Sequence, residues 1–389
     1  MDPVTAHYLF RPGAAAASAM RLAAAFDGAD VLYAVKVNPD ARIVTELAGL
    51  RRPRTTFGVE VASSAELDAV TDLGFDPVHV LATNPVRSPA AIDHALALGV
   101  RHFVADSPSE LHRLACCATT AGVPRHHVQV LVRIAVDQYS AGHPLGEKFG
   151  TETADLADLA ATCADTFGAV RGVAFHAGDQ VTDPLGFARA SERAAAALDL
   201  LAAGRWLSAD PWVDLGGGWP GRYEPTIPTI EQCASAAIES LGPWWDRCDR
   251  RIVEPGRYIA TWCYQLVATV NGTARRSSRR WAHLDAGVYN SVVDPALAPG
   301  IRLPFRTRPG DHQGPLVPWT LAGPTCDSAD VLARDALLPA DLGEGDTVLL
   351  DAAGAYSLAC ASSFNGFAPV QVRGELHDGL VHDLARPVP

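Results

Sequence analysis

The sequence predicts an α/β protein: a (β/α)8 TIM barrel followed by a second, C-terminal β domain. Three observations carry this expectation. Eight short apolar, β-branched runs alternate with Ala/Leu-rich stretches of helical period over the first two-thirds of the chain. That alternation stops after about residue 264, where Gly/Pro turns separate short strand-like runs. Polar residues also stand at the ends of the apolar runs, where barrel chemistry sits.

In order, the eight runs are residues 31–37, 56–63, 78–83, 101–106, 128–134, 170–178, 211–218 and 251–257. Helical spacing between them predicts helices over 64–73, 89–98, 107–121, 152–167, 185–203 and 229–241. Strands alternating with helices make a parallel sheet. Eight such units close a barrel, whereas a doubly wound open sheet does not usually need eight. Residues 140–146, Ser-Ala-Gly-His-Pro-Leu-Gly, read as a mobile loop inside the barrel. Beyond it, 265–271, 281–284, 347–350 and 370–374 read as strands. Pro295, Pro299, Pro304, Pro309, Pro315 and Pro318 break the stretch between them. The domains are expected at 11–263 and 264–389.

Composition narrows the function. The 389 residues are 48% hydrophobic and 20% charged, which is globular and long enough for a large core. A formal net charge of −12 argues against a nucleic-acid binder with a basic face. No apolar run has the length of a membrane span. The start, Met1-Asp-Pro-Val-Thr-Ala-His7, lacks a basic stretch followed by an apolar one, so a cytoplasmic protein is expected. The eight cysteines are scattered, without CxxC or metal-ligand spacing, so reduced thiols and no metal are expected.

The only lysines are Lys36 and Lys148; nearly all other positive charge is arginine. A GC-rich genome would produce that bias. So would retention of lysines that arginine cannot replace, since only lysine can lose its proton and attack a carbonyl. Lys36 lies between Val35 and Val37, an expensive place for an unused charge. Lys148, in Gly146-Glu-Lys-Phe-Gly150, reads as a loop or ion-pair lysine. Other runs end in or carry Glu60, Asp106, Arg133, His176, Gly216-Gly-Gly218, Glu254, Gly256 and Arg257. Taken singly, His176 reads as a core histidine, Glu254 and Arg257 as an ion pair, and the glycines as a turn. Together, a nucleophilic lysine, a glycine cradle for an anion and a carboxylate in one mouth suggest pyridoxal phosphate. A phosphosugar aldolase would need only the first two.

These residues fall into ordered motifs: Tyr33-Ala-Val-Lys-Val-Asn38, Val61-Ala-Ser-Ser-Ala-Glu-Leu67, Arg133-Ile134, Lys148-Phe-Gly150, His176-Ala-Gly178, Asp214-Leu-Gly-Gly-Gly218, Glu254-Pro-Gly-Arg257, Gly323-Pro-Thr-Cys-Asp327, and Tyr356 with Ser363-Phe-Asn-Gly-Phe367. In these the chain resembles the fold-type III pyridoxal-phosphate decarboxylases, the family of ornithine, arginine and diaminopimelate decarboxylases. The resemblance implies a homodimer with shared active sites, and residues 1–10 joining the β domain. It implies that Lys36 bonds to the cofactor's aldehyde carbon, His176 stacks on its ring and Glu254 pairs with its ring nitrogen. Gly216, Gly217, Gly218, Gly256, Arg257 and Tyr356 would hold the phosphate. Glu60, where relatives often have Asp, would lie near the cofactor's polar edge, and Arg133 would join the cofactor contacts. Cys326 of the other subunit would reprotonate the substrate carbon. Asp327 would face the substrate's distal end, with Tyr289 and Phe364 beside it.

Three departures bear on the substrate. Relatives often show His-x-Gly-Ser, with the serine on phosphate; here the fourth residue is Asp179, which must point elsewhere, sit in altered geometry or contact substrate. Ornithine decarboxylases carry an aspartate nine residues after the Gly-Val-Tyr tyrosine, but nine past Tyr289 is Ala298; Asp294 is near but out of register. Residues 285–297 and 326–332 resemble diaminopimelate decarboxylases in part, yet the arginine expected after Asn365 is replaced by Gly366-Phe-Ala-Pro369. A basic L-amino acid, ornithine or lysine, is the leading substrate, with a substituted amino acid of siderophore or natural-product biosynthesis as the alternative. A racemase of the same barrel would lack the Gly-Pro-Thr-Cys-Asp motif, and a non-catalytic cofactor-binding barrel would lack the second domain.

Overall fold

The structure, a computed structural model, describes residues 6–298 and 300–377. The expectations placed on residues 1–5, Pro299 and 378–389 lie outside the described residues. The chain opens with strand β1 (His7–Phe10) and helix α1 (Ala14–Ala25). The barrel strands are β2 (Asp30–Ala34), β3 (Phe57–Val61), β4 (Val80–Ala82), β5 (His102–Ala105), β6 (Gln129–Arg133), β8 (Val170–Ala174), β10 (Leu207–Asp214) and β11 (Arg250–Val253). They pair in parallel, and β11 closes on β2. Two short strands, β7 (Ala141–His143) and β9 (Asp179–Val181), form a separate antiparallel ribbon.

All eight predicted runs are barrel strands, but each run extends one to four residues beyond its strand. The overhanging residues turn into the loops above the barrel, and they include Lys36, His176, the three glycines and Glu254. One correction concerns residues 140–146: Ala141–His143 is strand, not loop, because β9 offers it a partner.

Helices α2 (Ala41–Ala48), α3 (Ser64–Asp72), α4 (Pro89–Ala97), α5 (Pro108–Thr120), α6 (Leu156–Phe167), α7 (Pro184–Ala203) and α8 (Ile230–Leu241) lie between the strands. Their starts are legible in the sequence. Pro89, Pro108 and Pro184 open helices where a missing N–H costs nothing. The side chains of Ser63, Ser88, Asp183 and Thr229 accept a first-turn N–H. Inside the barrel, Leu32, Leu81, Val104, Leu131, Ala174, Trp212 and Ile252 form an apolar plug, each from a different strand. The plug makes the barrel a packed core rather than a pore, with the polar loops above it.

The C-terminal β domain contains β12 (Tyr264–Arg276), β13 (Arg279–Leu284), β14 (Phe305–Arg306), β15 (Leu316–Ala322), β16 (Val331–Pro339), β17 (Thr347–Leu350) and β18 (Gln371–Glu375). Its order is β14-β17-β12-β13-β15-β16, and β1 pairs with both β12 and β18. β15 corrects only the end of the stretch read as broken by proline, since it begins at Leu316 and runs through Pro318. Pro318 pairs with Leu337 on β16, while pairing with β13 begins only at Trp319. A proline is tolerated where one side of its strand is unpaired.

Two buried residues tie the units together. Arg11, fully buried, donates to the carbonyls of Trp262 and Asp351. Asn38, also fully buried, donates through Nδ2 to the Gly354 carbonyl at 2.8 Å. Among the described residues, no helix is long and apolar enough to cross a membrane.

Candidate active site

β2 ends at Ala34, and a single 3-10 turn, Val35–Val37, carries Lys36 into the mouth of the barrel. Val35 and Val37 are buried and anchor the turn, leaving the lysine side chain 40% exposed. Its Nζ donates to Glu60 Oε2 at 2.6 Å. Glu60 lies on β3, is 1% exposed, and also accepts from the Thr83 hydroxyl just past β4. Burial opposes the charge on Lys36, but Glu60, Glu254 and Glu66 outweigh it and raise the ammonium's pKa.

Asp214 and Glu254 end β10 and follow β11, and both are buried. Asp214 Oδ1 accepts from Gly216 N at 2.8 Å, while Asp214 Oδ2 and Glu254 Oε1 have no protein partner. Burial raises both carboxyls, Asp214 to about 6; the Asp214 charge pushes Glu254 up further, while a hydrogen bond from Glu254 partly offsets the rise at Asp214. His176, past β8, is pushed down to about 3 by burial and then by Arg133 and Lys36, so its imidazole is neutral. Gly178 N donates to its Nδ1 at 3.2 Å, which leaves the ring proton on Nε2. A Cβ on Gly217 would lie 2.7 Å from that Nε2, so the ring rests against the glycine turn. Arg133 ends β6 with its guanidinium 5.2 Å from the Phe149 ring.

The glycine turn is held rigidly. Gly216 O accepts from Trp219 Nε1 and from Glu254 N, both at 2.8 Å. Trp219 is itself stacked on Phe187 at 4.0 Å. Gly216 and Gly218 have φ of +60° and +101°, and a Cβ on either would strike a carbonyl oxygen, Phe175 at 1.9 Å or Gly178 at 2.4 Å. Among the described residues, the main-chain N–H groups of Gly217, Gly218, Gly256 and Arg257 have no protein acceptor.

The Arg257 side chain departs from expectation. Its Nε donates to Asp179 Oδ1 at 3.0 Å and one terminal nitrogen to Asp179 Oδ2. The same nitrogen donates to Asp294 Oδ1 at 2.9 Å, and the other donates to Asp294 Oδ2 and to the Tyr223 hydroxyl at 2.9 Å. A guanidinium has five N–H groups, and all five are committed. Tyr356, at a positive φ of 48°, places its ring 4.8 Å from the guanidinium. Asp179 and Asp294, expected near substrate, instead face Arg257. Burial pushes Asp294 up, while Arg257 outweighs burial at Asp179 and holds it down.

The residues of the β domain form a second cluster. Tyr289 donates its hydroxyl to Asp327, and its ring lies 4.5 Å from that of Phe364. Cys326 is exposed, and its N donates to Asn365 Oδ1 at 3.2 Å. Among the described residues, no hydrogen bond or ion pair joins this cluster to Lys36, His176 or Glu254. The sequence reading missed Thr83 and Tyr223. Thr83 follows a barrel strand and was open to the same strand-end argument as Glu60. Tyr223 carries no local signal.

Residues 14–261 match the family model for the pyridoxal-binding domain of pyridoxal-dependent decarboxylases. The chain belongs to the fold-type III pyridoxal-phosphate decarboxylases. A lysine/ornithine decarboxylase of Selenomonas ruminantium is 33% identical over 344 residues, 87% of this chain and 81% of that protein. Antizyme inhibitor 2 of Xenopus laevis is 30% identical over 86% of this chain and 73% of its own. The structure of a lysine/ornithine decarboxylase from Vibrio vulnificus with putrescine superposes with a TM-score of 0.80 at 29% identity, covering 96% of this chain and 94% of the other. This decarboxylase is a carboxy-lyase, and its cofactor is pyridoxal 5′-phosphate.

The site fits that cofactor at three points. The Lys36 amine stands in the mouth, the orphaned Glu254 oxygen can meet a ring N–H, and the unpaired N–H groups around the glycine turn can meet an anion. It does not fit at the Arg257 side chain, which has no N–H left.

Proposed function

We propose that this decarboxylase converts a basic L-amino acid, ornithine or lysine, to the corresponding amine and CO2. The observation that carries the proposal is the convergence in one mouth of Lys36, Glu60, His176 and Glu254, whose Oε1 has no protein partner. The names of the Selenomonas and Vibrio relatives support the substrate class. When bound, the cofactor supplies an electron sink for the pair left behind as CO2 departs.

In this reading, Lys36 would hold the cofactor through its side-chain amine, and Glu60 positions that amine and holds its proton. Glu254 faces the ring nitrogen, and burial beside Asp214 favours a proton between them. His176, neutral and backed by Gly217, lies against the ring. The main-chain N–H groups of Gly217, Gly218, Gly256 and Arg257 would receive the phosphate, with Arg133 and Tyr356 bordering it; Gly216, whose N–H is given to Asp214, shapes the turn. Cys326 returns a proton to the substrate's Cα, and Asp327, oriented by Tyr289, meets the distal amine, with Phe364 beside it. Cys326, Phe364 and Phe367 are exposed on the β domain. Their exposure supports a homodimer in which one subunit's β domain covers the other's barrel. The boundaries we assign are 11–263 and 264–389.

One observation favours a second reading, a substituted amino acid. Asp294, the nearest substitute for a second amine ligand, is bound to Arg257. Mass spectrometry of the loaded protein with a panel of basic, acidic and substituted amino acids decides between them, with Lys36→Ala as control. Amine from ornithine or lysine, absent in the control, establishes the first reading. Amine only from a substituted acid establishes the second.

A further inference from the structure

The cofactor's phosphate is a dianion near neutral pH, and an arginine opposite it is usually its strongest side-chain partner. Here the arginine is matched to two carboxylates before any ligand arrives. Asp179, Arg257 and Asp294 are each nine-tenths buried or more as residues, and with both carboxylates ionised they carry one net negative charge. The group lies beside the glycine turn, since Asp179 follows Gly178, whose carbonyl oxygen would be 2.4 Å from a Cβ on Gly218. A phosphate reaching for Arg257 would have to displace a bidentate carboxylate and leave it buried and unpaired, which is strongly unfavourable. The main-chain N–H groups of Gly217, Gly218, Gly256 and Arg257 make no such demand, because they have no protein acceptor.

We infer that Asp179 and Asp294 retain the Arg257 side chain as an internal strut, so that the phosphate is held chiefly by main-chain N–H groups, without that guanidinium, and Asp179 sets how weakly. Tyr223 and Tyr356 complete the strut, one as acceptor of the fifth N–H and one as a ring beneath the guanidinium. The inference rests on the glycine turn being the phosphate cradle. It makes Asp179 a positioning residue with a sign opposite to that of the serine it replaces.

The test measures the phosphate's contribution to affinity directly. Apoenzyme is titrated with pyridoxal 5′-phosphate and with pyridoxal, following quenching of tryptophan fluorescence, and the ratio of the pyridoxal Kd to the pyridoxal 5′-phosphate Kd is taken. Asp179→Ser frees two guanidinium N–H groups while leaving Arg257 paired with Asp294. It is expected to raise the ratio about tenfold or more, the worth of one charge-assisted hydrogen bond, with pyridoxal affinity unchanged. The triple variant Asp179→Asn, Asp294→Asn, Arg257→Gln keeps the hydrogen-bonding shapes without the charges and is expected to hold the ratio at or above the wild-type value. Thermal melts confirm that both variants fold. A ratio that is unchanged or lower in Asp179→Ser, or that collapses in the triple variant, overturns the inference. Wild-type protein that binds neither compound overturns the cradle reading itself.

Discussion

A protonated lysine cannot attack a carbonyl, so on the role proposed for Lys36 its charge is expected to set how fast the enzyme takes up its cofactor. Glu60 and Glu254 hold that ammonium above its ordinary pKa. Capture of pyridoxal phosphate, followed by the absorbance of the lysine-bound form, is therefore expected to quicken as pH rises. Glu60→Gln is expected to move the profile to lower pH, because it removes a charge that favours the ammonium; an unmoved profile would discard Glu60 as the controlling group. The histidines act on stability instead. Burial pushes His176 down to about 3, and burial with Arg250 pushes His102 down to about 4. Between about pH 6.5 and pH 4 the unfolded chain takes up protons on both that the folded chain refuses. Stability must fall with pH across that window. His102→Gln, away from the mouth, should flatten the decline in Tm, and an equal slope in both proteins would show that other groups set it.

At the scale of elements, the loops after β10 and β11 are stiffer than their glycine content suggests. Trp219 and Glu254 both bond to Gly216 O, so the turn is clamped from two sides. Gly218→Ala would place a Cβ 2.4 Å from the Gly178 carbonyl at a φ of +101°. A loss of about 1–3 kcal/mol is expected from the backbone alone, together with weaker cofactor binding; urea unfolding and the fluorescence titration read the two effects. The strand runs and helix starts were legible because each depends on neighbours in sequence: periodicity, a capping serine, a proline at the first turn. Lys36, Glu60, His176 and Glu254 were legible for a related reason, being polar residues where an apolar run stops. The Arg257 network was not. Asp179, Tyr223, Arg257 and Asp294 come from four separate segments, and no local pattern states which carboxylate will find which guanidinium. β15 escaped for the opposite reason: a local rule about proline ignored the pairing that leaves Pro318 harmless.

At the scale of the molecule, barrel and β domain share one continuous apolar cluster and are tied across it by buried polar groups. Arg11 stands at the junction, donating to Trp262 and Asp351 carbonyls and lying 3.7 Å from the Asp351 carboxylate. Arg11→Met would leave that carboxylate with Gln265 and Arg306. The loss is then that of the donor to the buried Trp262 and Asp351 carbonyls, about 1–3 kcal/mol, so the denaturation midpoint should drop below that of wild type. A midpoint within error would mean the two units hold together without it.

β1 carries a further consequence. It pairs with β12 in the sheet of the β domain, His7 opposite Val267, with the whole barrel between them in the chain. On a ribosome adding about 5–20 residues per second, β1 emerges well before β12 and waits roughly a quarter of a minute or more for it. Until then its two edges are open to any passing strand. The enzyme therefore makes its barrel in the company of an unmated strand, and a nascent chain held by a chaperone through that interval should reach the native state in higher yield than one released early.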